Sequence, residues 1–274
     1  MLVATVLALT SAGLHAGWNL VAKRSRDPFL ALWGQFFVAA LIAVVVLGAT
    51  RTLPAAGFGW AAVSGGVHLP YVVALALAYA HGDFSLAYPL ARGGGALLAG
   101  IGGIVLLGDD VDVWSAAAII IAAGGMALLA VGADRRQVAI ALFVAATIGA
   151  YTLVDSHAAR AVDDVTYIFA VFAATGLLVT LYGVATGRAR SMGAALSAQW
   201  PRFTLTAGMS MVTYGLVLLA VRRAPVGYVA ALRESSVLAA AYVGARYLDE
   251  GRAHRRTIAA AVIVSGLVLL VISA

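Results

Sequence analysis

Three charged side chains lie inside stretches of sequence that are otherwise apolar. Arg92 falls in AYPLARGGGALLAG, and the adjacent Arg233 and Glu234 fall in AALRESSVLAA. A charge near the centre of a bilayer costs about 2.5–3.5 kcal/mol on insertion scales, so such residues pair or face a watery cavity. Neighbouring residues of a helix point about 100° apart, so Glu234 does not share a face with Arg233. We therefore expect Glu234 to face a cavity and to pair with Arg92 across it.

These charges suit the binding of a small polar or anionic molecule. Guanidinium groups bind carboxylates and phosphates, and Glu234 would neutralise the empty site or bind the ammonium group of a zwitterion. The alternative is that both arginines extend to the lipid headgroups, which their long side chains permit.

Aromatic residues and histidines could complete the same site. The candidates that could stack on a substrate or hold a proton are Trp18, Tyr71, Tyr88, Tyr214 and His15. Tryptophan and tyrosine also gather at membrane interfaces without binding anything, and a buried histidine can simply pack. His68 lies equally deep, whereas Lys23, Asp155 and His157 lie near helix ends and are expected to meet water.

The elements that must position these residues are apolar stretches long enough to cross a bilayer. The chain is 63% hydrophobic and 11% charged, which is typical of a membrane protein rather than a soluble domain. Each stretch has roughly the 17–25 residues that a membrane-spanning helix needs. The ten predicted spans are 2–22, 29–49, 58–79, 84–107, 113–132, 138–154, 165–186, 203–221, 226–247 and 255–273.

The chain also repeats itself. Residues 225–251 resemble residues 84–110 at a shift of 141 positions, which places Arg233 over Arg92. Each of these stretches is followed by a short polar link and a last apolar span. The sequence therefore indicates a duplication.

A second match supports the duplication and predicts its geometry. WNLVAK at 18–23 corresponds to YTLVDS at 151–156, so the repeats cover about 1–132 and 137–273. Each half has five spans, an odd number, so the second half enters the membrane from the opposite side. In transporters such inverted-topology repeats place the binding site near the midplane, where the halves meet. The predicted fold is an all-α integral membrane protein with ten transmembrane helices in two inverted five-helix repeats.

Several classes of function are disfavoured by the sequence. There is no cysteine, so disulfides and cysteine-based metal sites are excluded. Walker A, H-E-x-x-H and G-x-S-x-G motifs are absent, so we expect no enzyme, no metal site and no cofactor, although transport could be coupled to protons. The net charge of +6 serves membrane topology rather than nucleic-acid binding.

The orientation of the chain is ambiguous. Loops after odd-numbered spans carry eleven lysines and arginines, and loops after even-numbered spans carry four. The positive-inside rule would place the odd-numbered loops in the cytoplasm and both termini outside.

The ten spans and three motifs resemble the EamA branch of the drug/metabolite transporter superfamily. These motifs are TSAGLHAGWNLVAKRSRDP, AYPLARGGGALLAG and ALRESSVLAAAYVGARYLDE, and the resemblance covers nearly the whole chain. Gly108-Asp109 and Asp249-Glu250 match a Gly-Glu of the family, the first with Asp for Glu. The resemblance implies both termini in the cytoplasm, which conflicts with the count of charges.

The resemblance also implies a function and a location. It implies a central cavity lined by the first, third, fourth, sixth, eighth and ninth spans, and homodimers in some relatives. We expect a multi-pass permease of the cytoplasmic (inner) membrane that exports small metabolites, such as amino acids or organic or phosphorylated anions, by alternating access. A flippase for a lipid-linked substrate and a non-transporting scaffold remain alternatives.

Overall fold

The computed structural model describes residues 2–107, 113–162, 166–221, 223, 232–248 and 253–273. Throughout these ranges the regular structure is α-helical, and no strand occurs in them. The described helices are α1 (Leu2–Lys23), α2 (Pro28–Thr50), α3 (Ala55–His81), α4 (Phe84–Leu107), α5 (Val113–Ala130), α6 (Arg135–Val162), α7 (Tyr167–Ala185), α8 (Ala189–Val221), α9 (Ser235–Tyr247) and α10 (Ala253–Ser273).

Four of these helices are long enough and apolar enough to cross a membrane. They are α2, α3, the Arg135–Asp155 part of α6, and α7. The outside of the bundle is apolar as well, since Val45 and Ile120 are each 71% exposed. Such a surface would be unfavourable in water and suits contact with lipid.

Two helices differ from the spans that the sequence predicts. The predicted span 203–221 is the second part of α8, which begins at Ala189 and is interrupted at Gln199. Pro201 has no backbone N–H to donate, which accounts for a break in the ladder at this point. Of the predicted span 226–247, α9 contains the part from Ser235, while residues 224–231 lie outside the described residues. Gly108-Asp109 and Asp249-Glu250 lie outside them too.

The turn between α1 and α2 shows why the chain starts a new helix there. The Asp27 carboxylate accepts a 3.1 Å hydrogen bond from the Leu30 backbone N–H, which caps α2. Pro28 follows as the first helical residue, where its missing N–H costs nothing. Asp27 also forms an ion pair with Arg188, which joins this turn to the start of α8.

The helix α5 packs against α10 through reciprocal contacts. A methyl group on Gly125 of α5 would lie 3.0 Å from the Ala259 carbonyl oxygen of α10. A methyl group on Gly266 of α10 would lie 2.8 Å from the Ala118 carbonyl oxygen of α5. Going from 118 to 125 on α5 thus corresponds to going from 266 back to 259 on α10, so the two helices run antiparallel.

Two further helix pairs run antiparallel. In α2 and α7, Phe29 lies 5.9 Å from Tyr182, and Phe36 lies 6.2 Å from Phe172, measured between ring centroids. The numbers rise along α2 and fall along α7. In the same way, the polar contacts between α4 and α9 described below join earlier residues of one helix to later residues of the other.

The remaining contacts between helices follow a regular scheme. The helix α3 packs against α6 and α7, and five helices later α8 packs against α1 and α2. Likewise α4 packs against α6, and α9 packs against α1. When five is added to each helix number, with α1 following α10, each of these contacts becomes another of them. The contact of α3 with α6, for example, becomes the contact of α8 with α1.

We predict that Gly125→Ala destabilises the protein, whereas Gly124→Ala does not. A methyl group at Gly125 would lie 2.7 Å from the Ile263 backbone nitrogen, while nothing lies within 4 Å of one at Gly124. Overpacking of this kind costs about 1–3 kcal/mol. Thermal unfolding in detergent should show a lower Tm for Gly125→Ala only. Equal Tm values for the two variants would contradict the close contact of α5 with α10.

Candidate functional site

The Arg92 guanidinium forms an ion pair with the Glu234 carboxylate inside the bundle. The Arg92 Nη2 donates to Glu234 Oε1 over 2.6 Å, and the two residues are 9% and 5% exposed. Arg92 lies on α4, while Glu234 occupies the residue before α9. The structure thus confirms the predicted pairing, and it shows the pair enclosed by protein rather than lining an open cavity.

Several polar atoms around this ion pair have no partner within the described part of the chain. They are the Nε atoms of Arg92 and Arg233 and the Oε2 atom of Glu234. Arg233 lies close enough to Arg92 for the two positive charges to interact. A single carboxylate therefore lies beside two guanidinium groups. The arrangement leaves two donors and one acceptor available for a polar ligand.

Aromatic side chains from α1 and α4 border the ion pair. The His15 ring lies 4.9 Å from the Trp18 ring, edge to face, and 6.1 Å from the Tyr88 ring. The Tyr88 hydroxyl donates to the Ser236 hydroxyl over 3.2 Å, which joins α4 to α9 a second time. His15 interacts electrostatically with Arg92 and Arg233, so these predicted candidates belong to one region.

The other predicted candidates lie further along α3 and α8. The Tyr71 ring is 5.3 Å from the Tyr151 ring, and Tyr151 interacts electrostatically with Arg92. Tyr71 therefore borders the ion pair through Tyr151. The Tyr214 ring lies 6.5 Å from the Phe172 ring of α7, and Tyr214 interacts electrostatically with Tyr151 and Arg233.

Hydrogen bonds join α1 to α3 between the ion pair and the face of the bundle where both helices end. The Tyr79 hydroxyl donates to the Asn19 side-chain oxygen over 2.5 Å, and both side chains are buried. The Lys23 ammonium donates to the backbone oxygens of Tyr79 and Gly82. These bonds hold the ends of α1 and α3 together at this face.

Some of these residues were not predicted from the sequence. Asn19, Tyr79 and Ser236 were missed; an amide within an apolar helix was the available signal for Asn19. The expectation that Asp155 meets water was wrong, since Asp155 is buried, whereas His157 is exposed as expected. Asp155 is buried because α7 starts beside it and Tyr167 donates to it.

Comparisons with known proteins support the fold and carry no information on function. No family model and no curated protein matches the chain. Among solved structures, one crystal structure of a protein has 20% sequence identity and a TM-score of 0.60. The match covers 99% of this chain and 98% of that chain. The chain therefore shares an overall fold with that protein along nearly its whole length.

We predict strong energetic coupling between Arg92 and Glu234. Glu234→Gln or Arg92→Gln leaves one buried charge without its partner, which should cost about 3–5 kcal/mol of stability. The double variant should lose less than the sum, with a coupling energy of at least about 1 kcal/mol. The free energies of unfolding of the four proteins measure this coupling.

The partly exposed ion pair at the bundle surface provides the control. The side chains of Arg188 and Asp27 are 32% and 37% exposed, and an asparagine at position 27 can still cap α2. Asp27→Asn should therefore change stability by no more than about 1 kcal/mol. Purely additive effects at Arg92 and Glu234 would show that their contact contributes nothing.

Proposed function

We propose that this protein is a secondary transporter that moves small polar metabolites across a membrane by alternating access. The observation that carries the proposal is the enclosed ion pair between Arg92 and Glu234, bordered by polar atoms without partners. Charged groups inside a helical membrane protein usually mark a substrate or ion pathway. A scaffold would not need them, and burying them is costly.

The packing of the helices supports an inverted repeat. Three pairs of helices that are five positions apart run antiparallel: α2 with α7, α4 with α9, and α5 with α10. The reciprocal contacts of α5 and α10 are centred on Gly125 and on Gly266, which differ by 141 positions, the shift that also relates Arg92 to Arg233. We propose ten membrane-spanning helices in two halves related by a two-fold axis in the membrane plane, with the ion pair near that axis.

The chemistry of the site favours substrates that carry a carboxylate or phosphate group. Such a group would accept hydrogen bonds from the unpartnered Nε atoms of Arg92 and Arg233. The unpartnered oxygen of Glu234 could accept a hydrogen bond from an ammonium group, so zwitterionic amino acids are included. Binding would then exchange part of the Arg92–Glu234 pair for contacts with the substrate.

We assign the protein to the EamA branch of the drug/metabolite transporters as part of the same proposal. The motifs around Arg92 and Glu234 support this assignment, and the charged ends of the helices suit a multi-pass protein of the cytoplasmic membrane. The burial of the site favours a small soluble substrate over a lipid-linked one. The ion pair and the aromatic residues beside it are enclosed by protein, whereas a lipid-linked substrate would need an opening to the side.

The test is the release of metabolites from proteoliposomes. Vesicles are loaded with a mixed pool of amino acids, organic acids and phosphorylated metabolites, and released compounds are identified by mass spectrometry. The proposal predicts selective release of one chemical class that carries an anionic group. Folded protein that releases nothing would overturn the proposal and favour a scaffold.

We predict that Arg92→Gln lowers this release about ten- to hundredfold, because a hydrogen bond to a charged group contributes roughly 1.5–3 kcal/mol. Arg188→Gln is the matched control, since Arg188 pairs with Asp27 at the surface of the bundle. Its rate should match that of the unmodified protein. Unchanged release by folded Arg92→Gln would show that the substrate does not use this arginine.

A further inference from the structure

A second cluster of buried polar side chains lies where α3, α6 and α7 meet. The Asp155 carboxylate of α6 accepts a 3.0 Å hydrogen bond from the Tyr167 hydroxyl, and Asp155 is only 8% exposed. His68 of α3 interacts with Asp155 electrostatically. The His68 Nδ1 atom lies 2.9 Å from the Ser64 backbone oxygen and 3.2 Å from the Ser64 hydroxyl. None of these groups takes part in the Arg92–Glu234 pair.

The cluster extends from one face of the bundle towards its centre. Tyr167 is the first residue of α7, and Asp155 lies about two turns from the end of α6. His68 lies near the middle of α3, where its ring stacks on the Tyr151 ring at 4.3 Å. Tyr151 precedes Asp155 by four residues on α6, which places both on one face of that helix.

Tyr151 and the close packing of α6 connect this cluster to the ion pair. Tyr151 interacts electrostatically with Arg92 and Glu234. A methyl group on Gly94 of α4 would lie 2.8 Å from the Ala145 side chain of α6. The two helices therefore pack without a gap, so a displacement of α6 relative to α3 would press on the helix that carries Arg92.

We propose that Asp155 and His68 form a proton-binding site that couples transport to a proton gradient. The inference rests on the proposed transport function and names its coupling ion. A proton taken up from water would convert the Asp155 carboxylate to a neutral acid and remove a buried negative charge beside His68. The contacts of α6 with α3 and α7 would then change, and α4 would transmit the change to the Arg92–Glu234 pair.

The composition of the cluster favours a proton over a metal cation. Among the described residues, no group of three or more histidine, aspartate or glutamate side chains could hold a metal ion. The Tyr167 hydroxyl donates to Asp155, and a bound cation would compete with that donor. A single carboxylate with a neighbouring imidazole can accept and pass on a proton without other ligands.

The other titratable groups around the cluster are mostly tyrosines. Tyr71 of α3 lies 6.0 Å from the His68 ring, and Tyr214 of α8 interacts electrostatically with Asp155. Arg92 and Arg233 interact electrostatically with Tyr151, which lies between them and the cluster on α6. These arginines have no ion pair with Asp155 among the described residues, so its charge is not already neutralised by them.

The experiment compares gradient-driven accumulation with simple exchange in proteoliposomes. The compound released in the preceding assay is the substrate, and a pH-sensitive dye inside the vesicles reports proton movement. In the unmodified protein, substrate transport should move protons, and a pH gradient should drive accumulation. Asp155→Asn should lower accumulation and proton movement by about tenfold or more, while exchange of labelled for unlabelled substrate continues.

Two further variants make the test decisive. His68→Gln, which leaves the carboxylate in place, should also weaken proton coupling more than exchange. Asp134→Asn is the matched control, because Asp134 caps the other end of α6, where its carboxylate accepts from the Arg136 and Gln137 backbone N–H groups. Its accumulation and exchange should both be unchanged.

The outcomes separate the two proposals. Absence of any flux in the unmodified protein would overturn the transport function and this inference with it. Flux that ignores the pH gradient or follows a sodium gradient would overturn the proton site alone. Equal loss of exchange and accumulation in folded Asp155→Asn would show that Asp155 has only a structural role, and full coupling in that variant would exclude it as the proton site.

Discussion

The structure depends on the burial of opposite charges between two helices in a medium of low dielectric constant. Arg92 on α4 and Glu234 before α9 are each almost fully enclosed, and each would be strongly unfavourable alone. Their contact uses one nitrogen of the guanidinium and one oxygen of the carboxylate, and leaves other polar atoms unpartnered. A stable ion pair with unpartnered polar atoms beside it is what the proposed binding of a polar substrate requires.

Close packing between helices joins this ion pair to the rest of the bundle. Glycines at the contacts of α4 with α6 and of α5 with α10 bring backbones so near that an added methyl group would collide. Small residues serve this purpose in membrane proteins, where apolar side chains gain nothing by leaving lipid. If such closely packed pairs move together, a change at one polar cluster would reach the other, as the proposed alternating access requires.

Much of the helical pattern and the central contact could be predicted from the sequence. Arg92 and Glu234 were predicted to pair because the repeat placed two arginines at equivalent positions and helical geometry turned Glu234 away from Arg233. The first part of α8 was missed because its polar residues resemble a loop. The burial of Asp155 was missed because it depends on Tyr167, the first residue of the following helix α7, which packs beside it. Tertiary contacts of this kind leave no periodic signal in a single sequence.

The central claim is that the region of the ion pair opens in turn to each side of the membrane. Ser236 is 2% exposed beside Tyr88, and the chain has no cysteine, so Ser236→Cys introduces one thiol of nearly the same size there. A membrane-impermeant thiol reagent is applied to vesicles of each orientation, with and without substrate. The account predicts labelling from both sides, with substrate changing the ratio. Labelling from one side only, or from neither, would contradict it.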